Sequence, residues 1–314
     1  MLRRAVLAAT AAGLVLLASV AGADEPVHRI GVLGNVENPE TMRIWLAGLR
    51  EHGWVDGVNL QIEYRRYRGR TEVIPTLAAE LVAFRPEVIV TVASPAAAAV
   101  HAAAPTIPLV FVSVGDPIAL GLVENLARPG GHATGFATLS PEGFMGKTLQ
   151  LLRELVPQAS TIAQFINPSN PMVRRFLVDN SEIERRLRVK LIVVEASASD
   201  QFEAAFSTAV YRGAEAIHIG SDPLMFAHSA EIVALAARYR LPAFYLERRY
   251  VLDGGLMCYG PHLEDQWHDA AGYVDKILRG EKPADLPVQQ PTRYYLTVNL
   301  KTAGARYHGA DLAP

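Results

Sequence analysis

Cysteine is almost absent: the 314-residue chain has one, Cys258. No disulfide can form within the chain and no thiolate-rich metal site can be built. An excess of either charge is missing too. Thirty Lys and Arg stand against thirty-two Asp and Glu, a formal net charge of -2, which leaves no basic field to gather nucleic acid. Beyond the N-terminus no apolar run approaches the ~20 residues needed to cross a bilayer. Catalytic motifs are lacking as well. There is no G-x-S-x-G elbow, no G-x-x-x-x-G-K-[ST] phosphate loop and no H-E-x-x-H helix, and Gly31-Val-Leu-Gly34 falls short of a dinucleotide fingerprint. His218, His228, His262 and His268 are scattered without metal-ligand spacing. Cys258, inside the apolar stretch Leu256–Tyr259, reads as a buried, inert thiol. The expectation is a protein without cofactor, metal or nucleic-acid partner, and not an enzyme.

What is present begins at the N-terminus. Arg3 and Arg4 precede an apolar stretch from Ala5 to Val20, then Ala21-Gly22-Ala23 and the polar Asp24-Glu25. That order reads as a cleavable secretory signal over residues 1–23. No cysteine follows the apolar stretch to accept a lipid. The mature chain is therefore expected to be soluble in the periplasm of a bacterium with two membranes.

Half the residues are hydrophobic, and the mature chain is long enough for two cores. Short β-branched runs alternate with segments of helical period, the pattern of βαβ units and a parallel sheet. Strands are expected at Arg29–Leu33, Asn59–Tyr64, Val88–Val92 and Leu109–Val112, then at Thr161–Ile166, Lys190–Val194, Ala216–Ile219 and Ala243–Tyr245. The two sets echo each other. Ile30–Asn35 followed by Asn38-Pro39 returns about 130 residues later as Ile162–Asn167 followed by Asn170-Pro171. Val90–Pro95 returns as Ile217–Pro223, and Ile107–Phe111 as Leu241–Tyr245. Three echoes in one order predict two similar doubly wound α/β lobes. Arg128–Ser140, rich in glycine, is the expected first link between them. Leu256–Asp285 is assigned back to the first lobe and the last strand, Tyr294–Asn299, to the second. The division is thus 24–136 plus 256–285 against 137–255 plus 286–314.

In open parallel sheets, ligands bind beyond the carboxyl ends of the strands, where helix N-termini leave N–H groups free. Ser94-Pro95, Asp116-Pro117, Ser140-Pro141 and Asp222-Pro223 each place a capping residue before proline. Capping alone accounts for such a pair. Position in the cleft adds a second reading for Ser94, whose hydroxyl, with Pro95 and Ala96 opening the helix, suits a ligand carboxylate. Asp222, at the matching place in the other lobe, suits an ammonium group. Asp116 is expected first to cap its own turn and second to help the site. Asn35 and Asn167 close the first strand of each lobe and can donate and accept together, or form turns. Tyr245 and Tyr259 follow late strands and offer either rings for a ligand's apolar part or core packing.

Several segments together resemble the exported substrate-binding proteins of ABC importers of the tryptophan/tyrosine-binding type. They are Val114–Pro117 with Gly121–Gly131, Gly254–Pro261, Tyr273–Gly280 leading into Lys282–Pro291, and Val298–Ala303. The resemblance covers nearly all of the mature chain. Ser94-Pro-Ala-Ala97 keeps the hydroxyl of the family's Thr-Pro-Ala-Ala turn, while Gly304–Pro314 is shorter than the family's helical tail. It implies a type I periplasmic binding fold with three crossovers, lobe closure on a small amino-acid-like ligand, delivery to an inner-membrane ABC permease, and a monomeric shuttle. A sensor subunit for a membrane kinase or chemoreceptor, and more remotely an exported α/β enzyme, are the alternatives.

Overall fold

The computed structural model describes residues 27–34, 39–138, 144–170, 173 and 180–306. The expected signal segment and the residues after Arg306 lie outside them. One sheet holds β1 (His28–Leu33), β2 (Leu60–Arg65), β3 (Val88–Val92), β4 (Leu109–Val114) and β5 (Ala133–Ala137), all parallel, in the order β2-β1-β3-β4-β5. The other holds β6 (Thr161–Ile166), β7 (Lys190–Glu195), β8 (Ala216–Ile219), β9 (Ala243–Tyr245), β10 (Met257–Gly260) and β11 (Tyr295–Val298), in the order β7-β6-β8-β9-β10-β11. Only β11 runs antiparallel to its neighbour. Without it both sheets have one strand order, so the sequence echoes are echoes of topology, with β1 answering β6, β3 answering β8 and β4 answering β9.

Helices cover both faces of each sheet, which is why β3 is an almost unbroken β-branched run with no polar face. On the first sheet, α1 (Pro39–Glu51) and α10 (Leu263–Leu278) lie on one face, and α2 (Ile74–Ala83) and α3 (Ser94–Ala103) on the other. Trp45 of α1 and Trp267 of α10, both fully buried, meet edge to face with centroids 5.4 Å apart. On the second sheet, α4 (Phe144–Leu155) and α5 (Ser181–Leu187) cover one face. The other carries α6 (Phe202–Tyr211), α7 (Pro223–Ala227), α8 (Ser229–Arg238) and α9 (Arg248–Leu252). The short α11 (Leu300–Arg306) adds Ala303 to the α4 side.

Three expectations about the links need correction. The stretch Arg128–Ser140 is not merely a connection, because it contains the buried strand β5. Its signal is hidden by Gly135, which sits at φ +144° and passes so close to β4 that a Cβ there would lie 2.0 Å from the Phe111 carbonyl oxygen. Second, the strand at Leu256–Tyr259 does not return to the first lobe: β10 pairs with β9 and β11 in the second sheet. The chain crosses back only after Gly260, with α10 packed on α1. Third, Leu286 and Val288 lie in the first lobe's cores, and Gln289 bridges to Phe136 of β5. The last crossing therefore follows Gln289 rather than Asp285. The chain passes between the lobes three times.

Candidate functional site

With this strand order the connections leave in opposite directions on either side of the β1/β3 and β6/β8 boundaries, which opens a crevice at the carboxyl end of each sheet. Asn35, expected at the end of β1, lies outside the described residues. Ser94 follows β3, Asn167 follows β6 and Asp222 follows β8, so these three stand at the two crevices.

On the first lobe, Ser94 is buried and its Oγ accepts from Gly115 N–H at 3.1 Å, which ties the β3 turn to the β4 turn. The hydroxyl proton is left to donate. Pro95 has no N–H, and Ala97 N–H returns to the Ala93 carbonyl at 3.2 Å. Ala96 is fully buried, and its N–H is one of the first-turn donors without an intrahelical partner. The backbone entering this turn is strained. Ala93 sits at φ +69° and ψ 160°, and Ser113 at the end of β4 has φ +57°. The Ser113 N–H is held at 3.0 Å by Gln266 Oε1 of α10. Such conformations cost of order 1–3 kcal/mol each and persist only where the surroundings impose them, commonly at binding sites. Nothing in the sequence announces them. Asp116 is buried and accepts from Ile118 and Ala119 N–H at 3.0 and 2.9 Å. It caps its own turn.

On the second lobe, Asp222 is buried among donors. One oxygen caps α7 by accepting from Leu224 and Met225 N–H at 2.8 and 3.4 Å. Asn167 Nδ2 lies 3.2 Å from both oxygens, and Asn170 Nδ2 donates to the second at 2.8 Å. Asn167 also forms a turn, its Oδ1 accepting from Ser169 N–H at 3.0 Å, so both readings of that residue hold at once. Burial pushes the Asp222 carboxyl up, and the four donor groups pull against it. Beside it runs a small cavity lined by Asn167, Asn170, Ser221 and Asp222 on its polar side and by Met145, Met225 and Leu246 on its apolar side.

Two residues join the walls. Tyr67, in the loop after β2, is buried and its hydroxyl lies 3.3 Å from the Val92 carbonyl, two residues before Ser94. Burial first, and the negative charge of Asp222 second, push its pKa up. Asp222 therefore lies close to the first lobe. Gly69, at φ +78°, sits against α7, where a Cβ would come within 3.1 Å of Ala227 Cβ. The sequence reading missed Tyr67, which is embedded in Arg65-Arg66-Tyr67-Arg68-Gly69-Arg70. It also missed Glu247, two residues beyond β9. Ser221 Oγ donates to Glu247 Oε1 at 2.5 Å. Burial and, to a lesser degree, Asp222 push the Glu247 carboxyl up to about 7.

The two tyrosines go elsewhere. Tyr245 is 1% exposed in the second lobe's core and stacks on Tyr250 with centroids 4.5 Å apart, so its ring is core packing rather than a ligand surface. Tyr259 is half-buried between Phe144 and Tyr294, at 5.8 and 5.7 Å, where the chain crosses between lobes. Cys258 is buried and its thiol is pushed up to about 11 by burial, which leaves it protonated and inert.

A two-lobed crevice with a donor-rich wall opposite a carboxylate is built to hold something. A sequence model of the ABC transporter substrate binding protein family matches residues 29–307. The chain belongs to this family. Its relatives bind solutes and are not enzymes. This substrate-binding protein is 24% identical over 279 residues to a tyrosine-binding protein of Clostridioides difficile strain R20291, covering 88% of this chain and 80% of that one. A conserved domain protein from Vibrio cholerae has a TM-score of 0.81 at 26% identity, covering 89% of this chain and 94% of its own. A Streptococcus pneumonia domain in complex with L-Trp has a TM-score of 0.80 at 23% identity, covering 88% and 94%. The likeness fixes the type I periplasmic binding fold for this substrate-binding protein. None of its helices, among the described residues, is long and apolar enough to cross a membrane.

Proposed function

We propose that this protein is the periplasmic receptor of an ABC importer and that it captures a small, amino-acid-like zwitterion between its lobes. The ligand's carboxylate meets Ser94 Oγ–H and Ala96 N–H at the start of α3, where the helix dipole adds about half a positive charge. Its ammonium group meets Asp222. Its apolar side chain lies against Met145, Met225 and Leu246, with methionine adapting to an irregular shape. The observation that carries this reading is the pairing of Ser94 and Asp222 at equivalent strand ends, with Tyr67 reaching from the Ser94 turn toward Asp222. A sugar would not need opposite charges at opposite walls.

Ligand capture shifts an open–closed equilibrium, because only the closed form offers both walls at once. Gly69 of the first lobe lies against α7 of the second, where an added Cβ would come 3.1 Å from Ala227 Cβ, an arrangement that suits a closed form. The closed shape is then read by an inner-membrane permease, the partner that family membership supports. One chain supplies both walls, so the shuttle works as a monomer, and the segment 1–23 directs its export. Calorimetric titration of the mature protein with Trp, Tyr, Phe and the branched-chain amino acids tests the ligand class. Saturable heat from at least one is expected. No heat from any of them rejects the class.

A further inference from the structure

Asp222 is not the only carboxylate at the second wall. Glu247 stands beside it on the next strand end, and the two are satisfied very differently. Asp222 accepts from two asparagine amides and two backbone N–H groups, the surroundings of an ionised acid. Glu247 receives one hydroxyl, from Ser221, on Oε1, and its Oε2 is buried without a hydrogen-bond partner. The hydroxyl of Tyr250, a fully buried residue whose pKa is raised by burial first and by the charges of Glu247 and Asp222 after it, is also without a partner. A buried carboxylate and a part-buried one this close hold one negative charge between them more easily than two.

Among the described residues, the charged groups around Glu247 do not relieve it. Asp222 on the β8 side opposes its ionisation, and Tyr250 on α9 brings no positive charge. Tyr245 on β9 is buried, and the Tyr67 hydroxyl of the first lobe donates to the Val92 carbonyl. Arg248 is exposed, and Arg249 pairs with Asp253 at 2.9 Å. No described residue adds a cation to the influences on Glu247, and a cationic ligand group can supply one.

We propose that Glu247 is the second carboxylate of the ammonium subsite and that it releases its proton to solvent when a cationic ligand group enters, so that capture tightens as pH rises. This rests on reading the cleft as an amino-acid site. The Glu247 O–H bond breaks, the proton passes to buffer, and the new carboxylate pairs with the ligand's ammonium. A group near 7 that is fully ionised in the complex releases about half a proton per ligand at neutral pH and makes binding about tenfold weaker at pH 6 than at pH 8.

The test is calorimetry with L-tryptophan and L-tyrosine on the full mature chain, in phosphate and in Tris, whose ionisation heats differ. Wild type should show buffer-dependent heat, the counted proton release and the tenfold pH dependence. E247Q should bind with heat independent of buffer and a flat pH profile. Wild-type binding that ignores both buffer and pH overturns the proposal while leaving the amino-acid reading intact, and this holds even if E247Q does not fold. Proton release that persists in E247Q overturns it too, by moving the titration to another group. No heat from either amino acid overturns this inference, and none from the wider panel rejects the reading beneath it.

Discussion

At the scale of the residue, Asp222 has both oxygens engaged by the fold, and on the proposed reading the same two would meet the ligand. It caps α7 and gathers Asn167 and Asn170, so that the ammonium of the proposed ligand would meet a carboxylate already fixed in place. Asp222→Ala is expected to weaken an amino-acid ligand by ~1.5–3 kcal/mol, the scale of a hydrogen bond to a charged group. Calorimetry on folded variant protein checks it, and unchanged affinity would leave Asp222 a cap alone. The place of Asp222 was legible because a capping residue before proline closes equivalent strands of the two lobes, Ser94 after β3 and Asp222 after β8. Ser94 was legible on the same grounds. Glu247 was not, since Glu247-Arg248-Arg249 looks like a solvated charge run, and only the fold shows that its carboxyl turns inward beside Ser221. Tyr67 was hidden likewise among arginines. Tyr245 takes the packing alternative left open for it, because an aromatic at a strand end faces the core as readily as the cleft.

At the scale of the element, α4 is keyed to the second sheet by a buried polar contact, Thr148 Oγ1 to His218 Nε2 at 3.2 Å, with His218 stacked on Phe244. Burial pulls His218 down to about 4. The unfolded chain, with its imidazole near ~6.5, therefore binds a proton between those values that the folded chain refuses. Stability from this group is complete above the unfolded pKa and is lost as pH falls through the window, by on the order of 3 kcal/mol. Urea unfolding at neutral and acid pH should show wild type losing that much more than His218→Gln. Equal losses would mean that His218 protonates without cost. Strands were the most legible elements, since β-branched runs between glycine and proline have few other homes. The exceptions were informative. The strand β5 is masked by the glycine that lets it approach β4, and β10 was recognised as a strand but given to the wrong lobe, because a strand's sequence does not say which sheet it joins.

At the scale of the whole molecule, the proposed closure treats the three crossings as a hinge and the crevice between equivalent strand ends as a jaw. Gly69 tests the jaw, because its φ of +78° and its neighbour Ala227 act on different states. The backbone strain of Gly69→Ala is present with the lobes open or closed. The Cβ contact at 3.1 Å arises only when they meet. A closure penalty of ~1 kcal/mol would weaken ligand binding about fivefold, readable by calorimetry beside an unfolding curve that reports the strain separately. Unchanged affinity would show that this contact plays no part in closure. The twin-lobed plan was the most legible level of all, because a repeat preserves order even where individual residues have drifted.

The most direct test of a jaw closing on a zwitterion is the crystal structure of the mature protein grown with the amino acid that gives the largest calorimetric heat. The account predicts one ligand in the crevice, its carboxylate at Ser94 and Ala96, its ammonium at Asp222 and Glu247, and its covalent structure unchanged. A ligand seated outside the crevice, or reversed so that its carboxylate faces Asp222, would contradict it.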